Sequence, residues 1–133
     1  MNASSILITG CSSGIGLDAA RTLHARGWRV FATCRSESDC EKLRSEGLES
    51  FTLDYASSDS IHAAVDKTMS LCSGKLDALF NNGAFGIPGR VEDLPRDALR
   101  SIFETNLFGQ FELINAVIPV SYTHLTLPTT PYV

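Results

Sequence analysis

An α/β fold, a doubly wound parallel sheet with helices on both faces, is the architecture this sequence predicts. Two patterns carry the prediction. Short apolar runs without polar alternation, the mark of strands buried on both faces, occur four times. A stretch of helical pattern follows each run, and strand–helix alternation of this kind builds a parallel sheet. Right-handed crossovers then leave few topologies. The length of 133 residues suits one domain.

The elements are legible in order. Ile6 to Ile8 reads as a buried strand. Ile15, Ala19 and Leu23 recur at helical spacing, with Ala20 widening the stripe, and Gly27 is placed to end that helix. Val30 to Thr33 is a second strand, Ser38 to Glu46 a short polar helix closed by Gly47, and Phe51 to Leu53 a third strand ending at Asp54. Ser57 or Ser58 caps the next helix, whose apolar face carries Ile61, Ala64, Val65, Thr68, Met69 and Cys72 before Gly74. Leu76 to Phe80 is a fourth strand. Pro95 opens a long helix at a favoured first-turn position, with Leu99, Ile102, Phe103, Leu107, Phe111 and Ile114 expected on its buried face.

The stretch "TGCSSGIG", Thr9 to Gly16, joins the first strand to the first helix. A helix N-terminus presents unpaired N–H groups and partial positive charge, so it suits an anion such as a pyrophosphate. Gly10 permits a tight turn, Gly14 a close backbone approach and Gly16 the packing of helix on strand. The spacing is neither that of a Walker loop, which also needs a lysine, nor the G-x-G-x-x-G fingerprint. A purely structural glycine turn is the competing reading.

Three further segments narrow the choice. "LFNNGAFG" closes the fourth strand, "ETNLFG" lies in the long helix, and Asp54 closes the third strand. Together with Thr-Gly-x-x-x-Gly-x-Gly these resemble, in order and placement, the short-chain dehydrogenase/reductase family, over roughly residues 4 to 118. The likeness is strongest to its bacterial and steroid- or retinol-type reductases. It implies a Rossmann-like sheet, here cut short after the fourth strand and the long helix, leaving that strand as an open edge. It implies dinucleotide binding by Gly10, Ser12, Ser13, Gly14, Ile15 and Gly16, by Asp54 beside the adenine, and by Asn81, Asn82, Gly83 and Ala84. Gly83 and Ala84 invert the family's usual Ala-Gly, but both are small.

The end of the second strand, "FATCRS", bears on which dinucleotide. An acid there would bond a ribose 2′-hydroxyl and repel a 2′-phosphate. Cys34 holds that position and Arg35 follows, and a guanidinium grips phosphate through two hydrogen bonds. NADP(H) rather than NAD(H) is therefore expected, with Arg35 as the charge partner and Ser36 assisting. Ser13 stands where some relatives carry a second arginine.

The family moves hydride between nicotinamide and a carbonyl or alcohol, using a serine, a tyrosine with a lysine four residues on, and a helical asparagine that holds a water. Asn106 matches the asparagine and is the one candidate catalytic residue. The lysines are Lys42, Lys67 and Lys75, and none stands four residues after Tyr55, Tyr122 or Tyr132. From Leu113 to Val133 there is no charged residue, and "VSYTHLTLPTTPYV" has no evident helical period. Residues 119–133 therefore read as foreign to the domain, a disordered extension or a read-through joined near Pro119 or Val120. The expectation is a fragment inactive by itself.

Composition agrees with a globular enzyme domain: 44% hydrophobic, 20% charged, net charge −4. That balance argues against a general nucleic-acid binder. Cys11, Cys34, Cys40 and Cys72 form no C-x-x-C pair and no zinc spacing, so separate reduced thiols, no metal and a cytoplasmic setting are expected. No apolar run reaches membrane-spanning length. The resemblance implies an aldehyde, ketone, steroid or retinoid substrate and a homo-oligomeric parent. Two function classes stand side by side: an NADP-dependent oxidoreductase, and a dinucleotide-binding module without chemistry. A methyltransferase fits less well, because it would want an acid where Cys34 stands.

Overall fold

The computed structural model describes residues 3–124, and for 119–124 the backbone alone. Four strands form one parallel sheet: β1 (Ser5–Ile8), β2 (Arg29–Cys34), β3 (Glu49–Thr52) and β4 (Ala78–Phe80), in the order β3-β2-β1-β4. The helices are α1 (Gly14–Ala25), α2 (Glu37–Ser45), α3 (Ser58–Leu71), α4 (Arg96–Phe103) and α5 (Gln110–His124). A single 3₁₀ turn spans Val91–Asp93, and Glu104–Gly109 between α4 and α5 winds as a π-helix.

Strand periodicity divides the core into two layers. Ile6, Ile8, Val30, Ala32 and Cys34 pack with Ala20 of α1 and Cys40 and Leu43 of α2. Leu7, Phe31 and Phe51 face the other way, onto Ile61, Ala64 and Val65 of α3 and Leu113 and Val117 of α5. Successive strand side chains point to opposite faces, so uninterrupted apolar runs feed both layers at once. This is the doubly wound arrangement that the sequence predicts.

Local signals mostly hold. The Ser57 side chain accepts the Ser60 N–H at 3.2 Å, and Ser36 accepts the Asp39 N–H at 3.3 Å, each at a helix start. Pro95 stands as the N-cap of α4, one position before the expected first turn. The third strand begins earlier than the apolar run suggests, because Glu49 and Ser50 pair with Phe31 and Ala32 of β2. Thr52 ends it, so Asp54 stands two residues beyond the strand.

The long-helix segment departs from expectation. Leu99, Phe103, Leu107, Phe111 and Ile114 are exposed, Phe111 by 65%. The buried face is instead Gly109, Leu113 and Val117. The sequence carries two apolar stripes, and period alone does not say which meets the sheet. Gly109 decides it, since a Cβ there would come within 2.9 Å of Tyr55 Cα, so only glycine lets the helix approach this closely. The helix also runs on to His124, through residues expected to lack helical order; residues 125–133 of the expected foreign tail lie outside the described residues. β4 is an edge strand, its three residues half-buried. No helix among the described residues is long and apolar enough to cross a membrane.

Candidate functional site

The chain leaves β1 for β2 and β3 on one side, then crosses back to β4 on the other. The carboxyl ends of β1 and β4 therefore diverge at a topological switch point, where open α/β sheets bind their ligands. A cleft of about 370 Å3 lies there. Its walls come from the exits of all four strands: Thr9, Gly10 and Ser12 after β1, Arg35 and Ser36 after β2, Leu53 to Tyr55 after β3, and Gly83 to Phe85 after β4. Asp39 of α2 and Thr105 of the π-helical segment complete it.

The glycine turn has three distinct demands. Gly10 has φ +68°, and a Cβ on it would stand 2.8 Å from Gly83 Cα, so the loops after β1 and β4 touch only through glycine. Gly14 has φ +61°, and its missing Cβ would project into open space at the start of α1. Gly16 packs on the carbonyl of Gly10 and on the Asn82 amide, so it seats the helix on the turn rather than on the strand. Ser13 caps α1 in extended geometry without a side-chain bond, and the first turn holds no acid. The amides and dipole of α1 are thus uncompensated, while Ser13, Gly14, Ile15 and Gly16 stand next to Gly10 and Ser12 but outside the residues that line the cleft. Ile15 is 72% exposed.

A buried polar hub fixes the loop after β4. The Thr9 hydroxyl accepts the Asn82 and Gly83 N–H groups, both at 2.9 Å, and lies 2.6 Å from the Tyr55 hydroxyl. Tyr55 donates onward to Asn81 Oδ1. With both Thr9 lone pairs engaged and the Tyr55 proton committed to Asn81, Thr9 must donate to Tyr55. Asn81 reaches Gln110 O, Gln110 returns to Gly83 O at 2.7 Å, and the Asn82 amide binds Thr9 O and Gly10 O. Asn81 and Asn82 therefore stand behind the cleft and shape it. Replacing Thr9 by the near-isosteric valine takes the acceptor from the Gly83 N–H, while the Asn82 N–H keeps Phe80 O and the Tyr55 hydroxyl keeps Asn81, and should cost about 1–2 kcal/mol, read as a shift in the urea midpoint with unchanged slope.

Asn106 lies in the π-helical segment, a geometry frequent at functional sites. Both ends of its side chain bond one residue: Oδ1 accepts the Phe85 N–H at 3.0 Å and Nδ2 donates to Phe85 O at 2.7 Å. The amide thus clamps Phe85, which lines the cleft, while Asn106 itself does not. Asp54 accepts the Ala56 N–H and lines the cleft beside Tyr55.

Three buried acids resist ionisation here. Burial pushes the Tyr55 phenol from 10.0 up to about 12, against the lowering effect of its bond with Thr9. Burial also pushes the Cys11 and Cys34 thiols from 9.0 up to about 12. Each folded-state value exceeds the unfolded one, so the stability they contribute is complete below pH 9 and is lost as pH rises toward 12. Denaturation midpoints should fall across that window, and Tyr55→Phe should flatten the part between pH 10 and 12.

The sequence reading missed Thr9 as hub, and also Asp39, Tyr55, Phe85, Thr105 and Gln110. Thr9 stood in plain view as the residue before Gly10. Tyr55 and Gln110 act through contacts 46 and 27 residues away, which no local pattern reports.

Residues 4–123 match the short chain dehydrogenase family. The chain belongs to that family. It is 37% identical over 120 residues to the uncharacterized oxidoreductase YbbO of Escherichia coli, covering 90% of this chain and 45% of YbbO. It is 37% identical over 120 residues to human retinol dehydrogenase 8, covering 86% of this chain and 39% of that one. An actinorhodin polyketide ketoreductase solved with NADPH superposes with TM-score 0.78 at 33% identity, over 89% of this chain and 47% of the other. This short-chain dehydrogenase chain thus spans less than half the length of these relatives. The bacterial and retinol-type likeness inferred from its motifs is matched by the relatives found.

Proposed function

We propose that this chain is the dinucleotide-binding portion of an NADP(H)-dependent short-chain dehydrogenase or reductase. One observation carries the reading: the glycine turn at Gly10 and Ser12, an arginine with no ion-pair partner among the described residues, and two small residues after β4 line one cleft at the switch point. Those residues fit a dinucleotide. The start of α1 offers amides to a pyrophosphate, with Ser12 and Ser13 beside it, and the vacant space over Gly14 leaves room for its oxygens. Arg35 would hold a 2′-phosphate, Asp54 would face the adenine, and Gly83 and Ala84 would lie under the nicotinamide half. The NADPH bound in the ketoreductase relative supports the choice of dinucleotide.

When bound, the nicotinamide supplies hydride exchange with a carbonyl or alcohol. This chain's residues bind and orient it; Asn106 and Gln110 act as positioning residues by holding Phe85 and Gly83. No Tyr-x-x-x-Lys pair occurs in the sequence, so we propose that the chain as given binds without turning over substrate. The same absence is what a purely binding module would show, and turnover by a form carrying that pair separates the two. The exposed stripe from Leu99 to Ile114 supports a homo-oligomeric parent, and the separate free thiols support a cytosolic one. Titration of the chain with NADPH should give saturable enhancement of nicotinamide fluorescence. A flat titration on folded protein would remove the reading.

A further inference from the structure

We propose that Asp39 is a specificity-determining residue that weakens this cleft's preference for the phosphorylated dinucleotide. The proposal rests on the dinucleotide reading above. Arg35 and Ser36 at the exit of β2 share the cleft with Asp39, the third residue of α2. The Ser36 hydroxyl lies 2.9 Å from Asp39 Oδ2 and donates to it, while accepting the Asp39 N–H. Its proton is therefore spent on the protein's own carboxylate rather than free for a ligand. The acid also sits at the positive end of α2 and compensates it before any anion arrives.

The other first-turn acid is differently placed. Glu37 is paired with Arg44 at 2.6 Å and does not line the cleft. Among the described residues Asp39 has only Lys42 as an ion-pair partner, at 3.8 Å on its second oxygen, a loose pair with an exposed lysine. An incoming 2′-phosphate would thus meet Arg35 on one side and a carboxylate on the other. A 2′-hydroxyl would meet the same carboxylate as a hydrogen-bond acceptor. Asp39 penalises the first and tolerates the second.

The test is binding of NADPH and NADH, by calorimetry, to the wild-type chain and to Asp39→Asn, Asp39→Ser, Glu37→Gln and Arg35→Ala. Asparagine keeps an acceptor for Ser36 and the backbone cap but removes the charge. Either neutral Asp39 variant should tighten NADPH about three- to fivefold with little change for NADH, less so at high salt. Glu37→Gln should leave the ratio alone. An unchanged NADPH-to-NADH ratio in both Asp39 variants, or equal tightening of both ligands, overturns the proposal. If Arg35→Ala lowers the ratio in that case, the dinucleotide reading survives without it. Failure of the folded wild type to bind either ligand overturns both.

Discussion

Arg35→Ala should weaken NADPH binding about tenfold while leaving NADH nearly unchanged, because it removes the charge-assisted bonds to the one group that differs between them. The site's geometry sets the size. Arg35 is exposed, so solvent screens it and the loss stays near tenfold rather than the far larger figure of a buried pair. It has no protein carboxylate to release among the described salt bridges, whereas Arg21, Arg29 and Arg44 are held by Glu46, Glu49 and Glu37. Removing Arg35 therefore leaves no orphaned acid, and the melting temperature should hardly move. Competition titrations with both dinucleotides check this. Equal losses for both would mean that Arg35 acts on the shared adenosine or on the fold.

Two glycines in the first turn of α1 should fail in opposite ways. A Cβ at Gly16 would collide with the Gly10 carbonyl and come within 2.8 Å of Asn82 Nδ2, inside the hub that joins β1 to β4. Gly16→Ala should cost about 3 kcal/mol, with a fall in melting temperature of about 10 °C. A Cβ at Gly14 would meet nothing, and the cost is only that of a left-handed residue, about 1–2 kcal/mol. Yet it would stand over the first amides of α1, where the proposed pyrophosphate approaches. Gly14→Ala should therefore lose dinucleotide affinity at least about tenfold for a small loss of stability. Parallel melts and titrations of the two variants separate packing from ligand approach.

Much of this arrangement is legible in the sequence, for a physical reason. Strands such as Ile6–Ile8 and Val30–Thr33 are buried on both faces, and burial on both faces writes a continuous apolar run that local reading detects. The glycines were legible too, because backbone demands at Gly10 and Gly16 exclude every other side chain. Legibility ended where partners are distant in sequence. The Thr9–Tyr55–Asn81 chain joins three strand exits, and none of its residues is unusual in its own segment. The orientation of α5 was misread because Phe111 and Ile114 form as good a stripe as Leu113 and Val117; a contact between Gly109 and Tyr55 chose between them. Asp39 is one polar residue among many in the short helix after β2, and only the shared cleft makes it a neighbour of Arg35.

Amide chemical-shift mapping by NMR during addition of NADPH tests most directly whether the switch-point cleft is where the ligand goes. The largest perturbations should fall on Ser12 to Gly16, Arg35 to Asp39, Asp54 and Gly83 to Phe85. Trp28 and Gly47, at the opposite end of the sheet, should stay still. Perturbations centred there, or none at saturating NADPH in a folded sample, would contradict the account.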